Sequence, residues 1–216
     1  MQTLTRQLID SDYRDRIVTD RQVARLLNAS PAARHGLVNR ALKAGELIRI
    51  QRGLYVLSDR LRQQPVHPFH VAQHLHPGSH VSLETALSWH GWIPEGVPEC
   101  ASVIAGGRSR SLEHPALGRF TFTPLAMHQR YHLTGVERYV LNAQPALVAT
   151  PLRALLDLAC FRKWTWQGSD WLRHHLRIGE EQLSQIQGGT LQELSSVYRH
   201  RRVQTFIEGM QREGFT

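Results

Sequence analysis

The sequence predicts an α+β fold, with a small helical N-terminal domain closed by a β-hairpin, then a mixed α/β domain that ends in a helical tail. Three observations carry that reading. Apolar residues recur at helical spacing through residues 1–44; "ELIRI" and "GLYVL" alternate like two short strands; and beyond residue 80 helical and strand-like segments interleave before a run of short helical pieces. With 216 residues, of which 41% are hydrophobic, the chain is long enough for one large domain or two small ones. The expected division is a first domain over 1–62, a His/Pro-rich connecting segment over 63–79, and a second domain over 80–216.

Leu4, Leu8 and Ile9 mark a short first helix that ends near Tyr13. In "VTDRQVARLLN", Thr19 with Gln22 three residues later is a capping-box signature, and Val23, Leu26 and Leu27 share a helical face. A second helix over about Asp20 to Leu27 follows. After Asn28, Ala29 and Ser30, Ser30 is placed to cap a third helix. Pro31 stands at its first position, where a missing N–H costs nothing. That helix runs to about Ala44 and stops at Gly45.

The third helix puts Ala33, Leu37, Val38, Ala41 and Leu42 on or near an apolar stripe. Arg34, His35, Asn39, Arg40 and Lys43 are expected on the other face. "ELIRI" and "GLYVL" then form a hairpin that turns around Gln51 and Arg52 and is released by Gly53. Two helices, a short turn and a hairpin make a winged helix-turn-helix. Charge agrees: residues 1–64 hold 12 Arg/Lys against 6 Asp/Glu, whereas residues 65–216 hold 14 against 12, so most of the net +8 lies at the N-terminal end. Such asymmetry points to an acidic polymer, usually nucleic acid. The bland alternatives are arginines that are merely solvated and a helix-turn-helix that binds protein instead of DNA.

The residues expected to touch double-stranded DNA are therefore Arg34, His35, Asn39, Arg40 and Lys43 on the third helix, Thr19 and Gln22 near the start of the second, and Arg49, Gln51 and Arg52 on the hairpin. Because the first residues of a recognition helix usually meet base edges, Arg34 and His35 are the specificity candidates. Arg49 and Arg52 are expected on phosphates.

"SDRLRQQPVHPFH" reads as a boundary, and a histidine run follows with His67, His70, His74, His76 and His80. His70 and His74 at i, i+4 have the spacing of metal ligands. With no HExxH pattern and no neighbouring cysteine, a partly exposed helix is preferred and no metal is expected. Further on, Ser82 is expected to cap a helix through Leu83, Ala86, Leu87 and His90, ended by Gly91. Strands are expected at "CASVIAG", "RFTFTPL", "VERYVL" and "ALVAT", then a helix from Thr150 and Pro151, then short helices broken at Gly179, Gly188 and Gly189.

Catalytic patterns are missing from the sequence. There is no GxSxG elbow, and "IAGGRSRS" has glycines without the Lys-Ser/Thr pair of a phosphate loop, which leaves Arg108 and Arg110 as a candidate anion site only. The lysines are Lys43 and Lys163, neither in a Glu-x-Lys nuclease pattern. Neither enzyme activity nor a cofactor is expected. Cys100 and Cys160 form no CxxC, and with no membrane-length apolar run or leader the expected location is the cytoplasm.

"AGELIRIQRGLYVL", "VSLETALSWHGWIPEGVPE" and "LVATPLRALLDLA", in that order along the chain, resemble the AbiEi-type (abortive infection) antitoxins, the transcriptional regulators of type IV toxin-antitoxin systems. The resemblance spans most of residues 17–160. It implies a winged helix-turn-helix that binds inverted repeats in its own promoter as monomer or dimer and represses the operon. It also implies a C-terminal domain that contributes to repression and antitoxicity, and a nucleotidyltransferase-like toxin countered without a stable complex. The His-rich segment and the helical tail depart from the family pattern. A solitary regulator without a toxin, or a nucleic-acid-processing enzyme, are the competing readings.

Overall fold

The computed structural model describes residues 1–215. The chain divides into two compact units, residues 1–75 with 140–145, and residues 76–139 with 146 onward.

In the first unit, helix α1 (Thr3–Ile9) is followed by a two-residue strand β1 (Val18–Thr19), helix α2 (Asp20–Leu27), helix α3 (Pro31–Lys43), and strands β2 (Leu47–Gln51) and β3 (Leu54–Leu57). Local chemistry sets these boundaries. Thr19 N–H donates to Gln22 Oε1 at 2.8 Å and Gln22 N–H donates to Thr19 Oγ1 at 3.2 Å, a complete capping box. Ala33 N–H donates to Ser30 Oγ at 3.3 Å, with Pro31 at the first helical position. Asn28 ends α2 in the left-handed conformation, and Gly45, at φ +64, follows α3.

The core of this unit gathers Leu4, Leu8, Val18, Val23, Val38, Ala41, Leu47, Tyr55 and Leu57. Its sheet has the order β1-β3-β2, so the hairpin gains a third strand that sequence pattern did not announce. Two residues are too short to show alternation; Val18 and Thr19 are strand only because they lie against Tyr55 and Leu54. The hairpin turn is also one residue later than expected. Gln51 pairs with Leu54, which leaves Arg52 and Gly53 as the two-residue tip, and the register slips between Arg49 and Gln51.

The expected connecting segment is partly helical. Helix α4 spans Pro68–Leu75 and buries Phe69, Val71, Ala72 and Leu75. The polar residues before it are tied down: Gln63 N–H donates to Asp15 Oδ1 at 2.6 Å, and His67 N–H to Gln144 Oε1 at 3.3 Å. Composition suggested a linker, whereas long-range hydrogen bonds order it.

The remaining elements are β4 (His80–Val81), α5 (Leu83–Trp89), β5 (Glu99–Ile104), β6 (Arg110–His114), β7 (Gly118–Pro124), β8 (Val136–Leu141), β9 (Gln144–Ala149), α6 (Pro151–Arg162), α7 (Ser169–His175), α8 (Glu180–Ser184), α9 (Gly188–Ser195) and α10 (Arg201–Arg212). The six strands form a mixed sheet of order β6-β7-β5-β4-β9-β8, with β5 parallel to β7 and β4 parallel to β9. β4 and β6 were not expected. Ser82 and Thr150 precede helices as anticipated, but neither side chain caps. Ser82 Oγ donates instead to Asp157 at 2.7 Å. Gly188 and Gly189 open α9 instead of breaking the chain before it. Among the described residues, no helix is long and apolar enough to cross a membrane.

Candidate nucleic-acid interface

On α3 the buried side chains are Val38 and Ala41. Positions i, i+4 and i+7 place Arg34 on their stripe, away from the outward face on which it was expected. The outward stripe is Ala32, Gly36, Asn39 and Lys43, at i, i+4, i+7 and i+11, with His35 and Arg40 beside it. Exposure follows that geometry, since Ala32, His35, Arg40 and Lys43 are exposed while Asn39 and Gly36 are half-buried by their neighbours.

Two contacts organise this face. Asn39 Nδ2 lies 2.9 Å from His35 Nε2 and donates an amide hydrogen to the ring nitrogen. Arg40 folds back across Gly36, whose Cβ, were it present, would stand 3.5 Å from Arg40 Nη1. Glycine in mid-helix costs roughly 1 kcal/mol relative to alanine. Nothing in the fold requires it here, because 3.5 Å is an ordinary contact. Ala32, Ala33 and Gly36 put small residues in the first half of α3, around His35.

The hairpin stands on α2. Asp20 N–H donates to Gly53 O at 2.9 Å, and the Asp20 carboxylate lies near the turn. Burial, and then the Asp20 carboxylate, raise the Tyr55 phenol above its usual range. Gly53 is at φ +77, and a Cβ there would meet Asp20 Oδ2 at 3.0 Å, so a side chain is disfavoured on two counts. The tight turn presents Arg52, which is exposed, as is Arg49 on β2; Gln51 is half-buried.

Residues 7–58 match the family described as transcriptional regulator, AbiEi antitoxin. A comparison with curated proteins finds no match. The matched segment contains the α2–α3 pair, the outward stripe of α3 and the whole β2–β3 hairpin, hence every residue expected to contact DNA. "AGELIRIQRGLYVL" lies within it, whereas "VSLETALSWHGWIPEGVPE" and "LVATPLRALLDLA" lie beyond the matched residues.

Within the matched segment the structure places the expected residues in three groups. His35, Asn39, Arg40 and Lys43 share the outward side of α3, and Arg49, Gln51 and Arg52 lie on the hairpin. Thr19 and Gln22 have an internal duty: Thr19 Oγ1 donates to Gln22 Oε1 at 2.8 Å, and both side-chain oxygens also accept from backbone N–H groups in the cap. Their spacing signals a helix start, and that function accounts for them. Gly36, a glycine inside the helical run and on its polar side, lies on the same stripe as Asn39 and Lys43.

Outside the segment, Arg110 opens β6 and lines a cleft of about 1210 Å³ in the second unit; Arg108 is not among the lining residues. The cleft also carries Glu84, Glu95, Glu99 and Glu113, and its Arg119 and Arg162 pair with Glu99 at 3.5 Å and Glu84 at 2.9 Å. Such mixed charge does not favour an anion, so the Arg108/Arg110 site gains no support from geometry. His70 and His74, the pair with metal-ligand spacing, direct their Nδ1 atoms to backbone carbonyls, Pro145 O at 2.8 Å and His70 O at 3.0 Å. Among the described residues, no three His, Cys, Asp or Glu side chains converge as a metal site.

Proposed function

We propose that this protein is a DNA-binding transcriptional autorepressor and the antitoxin of a type IV toxin-antitoxin (abortive infection) system, acting in the cytoplasm without enzymatic activity or cofactor. In this reading residues 1–62 are a winged helix-turn-helix with α3 as recognition helix and the β2–β3 hairpin as wing. Residues 80–216 are the antitoxin domain that counters a nucleotidyltransferase-like toxin without a stable complex. The observation that carries the reading is the outward face of α3, with His35, Asn39, Arg40 and Lys43 together and two arginines on the adjoining hairpin, inside a segment similar to the AbiEi regulators. Polar groups that reach base edges, flanked by cations that reach phosphates, are what duplex recognition needs.

Fluorescence anisotropy of the purified protein tests it, using the duplex immediately upstream of its own start codon beside a scrambled duplex at 50 and 200 mM salt. The expected result is preferential binding to the native duplex as monomer or dimer on inverted repeats, weakened by on the order of a thousandfold between the two salts if about six phosphates are contacted. Equal, weak binding to both duplexes would reject the repressor role. Antitoxicity has a separate test: co-expression with the gene product encoded beside it should restore growth. A lack of rescue would leave a solitary regulator.

A further inference from the structure

The DNA-binding reading leaves open which base the recognition helix selects, and the α3 surface bears on that choice. Asn39 lies at the middle of the outward stripe, flanked along it by Gly36 and Lys43. Its amide donates one hydrogen to His35 Nε2 at 2.9 Å, which restricts rotation of the side chain. One acceptor, Oδ1, and the second amide hydrogen then remain, and they form a donor–acceptor pair on one edge of the amide when His35 takes the hydrogen anti to Oδ1. Adenine shows the complementary pair in the major groove, an N6 donor beside the N7 acceptor. No other base presents that order of groups. Gly36 bears on the same point: a Cβ there would meet Arg40 Nη1 at 3.5 Å, an ordinary contact, so packing does not demand glycine, and its missing side chain permits close approach of a ligand to the backbone.

Resting on the proposed DNA-binding function, we infer that Asn39 reads an adenine by a bidentate contact, that His35 is the positioning residue that holds the Asn39 amide for it, and that Gly36 lets the helix sit deep enough to reach. Arg40 and Lys43 flank this reader and serve the phosphates. Asn39 is thereby the specificity determinant, in place of Arg34, whose stripe is the packed one.

The test is in vitro selection with full-length protein from a duplex library carrying a randomised central segment, followed by sequencing of the enriched pools. Wild type should enrich a motif with one strongly preferred adenine per half-site. Asn39→Ala should lose preference at that base alone, on the order of tenfold. His35→Ala should weaken preference at the same base and no other, and His35→Gln, which keeps an acceptor for the Asn39 amide, should restore it. Gly36→Leu should remove motif selection while retaining binding to random duplex. A merely structural role would lower all binding together and would not single out one base pair. Should wild type enrich a motif that Asn39→Ala keeps intact, the inference fails while DNA recognition stands. If Asn39→Ala loses the adenine but His35→Ala does not, the positioning role is overturned; if wild type enriches no motif, the DNA-binding reading falls with it.

Discussion

Arg153 donates from Nε to Asp157 Oδ1 at 2.9 Å, one turn apart on α6, and neither side chain is exposed to solvent. Tyr198 Oη donates to the same oxygen at 2.8 Å and Ser82 Oγ to the other at 2.7 Å, while His80 Nε2 lies 3.3 Å from that second oxygen. Arg153 also donates to the carbonyls of Thr134 and His132. Burial alone would raise the Asp157 carboxyl, but the guanidinium, helped by His80 and Ser82, outweighs it and holds the group well below the usual carboxylate range.

Breaking this pair from one side leaves a buried charge unpaired. Asp157→Ala should therefore cost about 3–5 kcal/mol in urea unfolding, and the double change Arg153→Met with Asp157→Leu should cost less than Asp157→Ala. The sign of the acid response follows from the lowered Asp157 value: the stabilisation is present above about pH 3.9, where an unfolded carboxyl titrates, and is lost as pH falls toward the folded one.

His70 gives a second, higher window. Burial first, and then the nearby His74, His67 and Arg16 charges, push its ring down to about 4 against a hydrogen bond to Pro145 O that favours the charged form. The unfolded chain takes up the proton near pH 6.5 and the folded one does not, so stability should fall as pH drops from about 6.5 to 4. His70→Gln should flatten that part of a urea-midpoint-versus-pH curve.

Thr19 and Gln22 test the distinction between capping and recognition. Thr19→Ala should lower stability by about 1 kcal/mol in thermal or urea unfolding. At temperatures where the variant is folded, its base preference in binding assays should match wild type.

Arg52, at the tip of the hairpin, and Arg34, on the packed stripe of α3, should behave differently from Asn39. Arg52→Ala should weaken binding to all duplexes alike and reduce the slope of log affinity against log salt by about 1. Arg34→Ala should leave base preference unchanged, which the same anisotropy series with single-base operator variants measures.

Gly209 on α10 offers a steric test. A Cβ there would stand 2.5 to 2.6 Å from three Trp166 atoms, and Trp166 Nε1 is held by Glu213 Oε2 at 3.0 Å. Alanine gains about 1 kcal/mol of helix propensity, but displacing the indole costs typically 1–3 kcal/mol. Gly209→Ala should be destabilising on balance, and near-ultraviolet circular dichroism should report the moved indole.

By itself the sequence determined the starts and stops of α2 and α3, the β2–β3 hairpin and the cationic character of the first unit. Each depends on residues within a few positions of one another: Thr19 with Gln22, Ser30 with Pro31, Gly45 after the last turn, Gly53 at the tip. Only the tertiary structure decided which polar side chains are available. It moved Arg34 to the packed stripe, assigned Thr19 and Gln22 to a cap, and drew Ser82 to Asp157, 75 positions away. It also made strands of Val18–Thr19 and His80–Val81, segments too short for periodicity to reveal, by placing Val18 against Tyr55 and Val81 between Ser102 and Val148. Local patterns are legible because the groups that satisfy a helix end are neighbours in the chain. A two-residue strand or a buried ion network takes its partners from distant segments, and only packing brings those together.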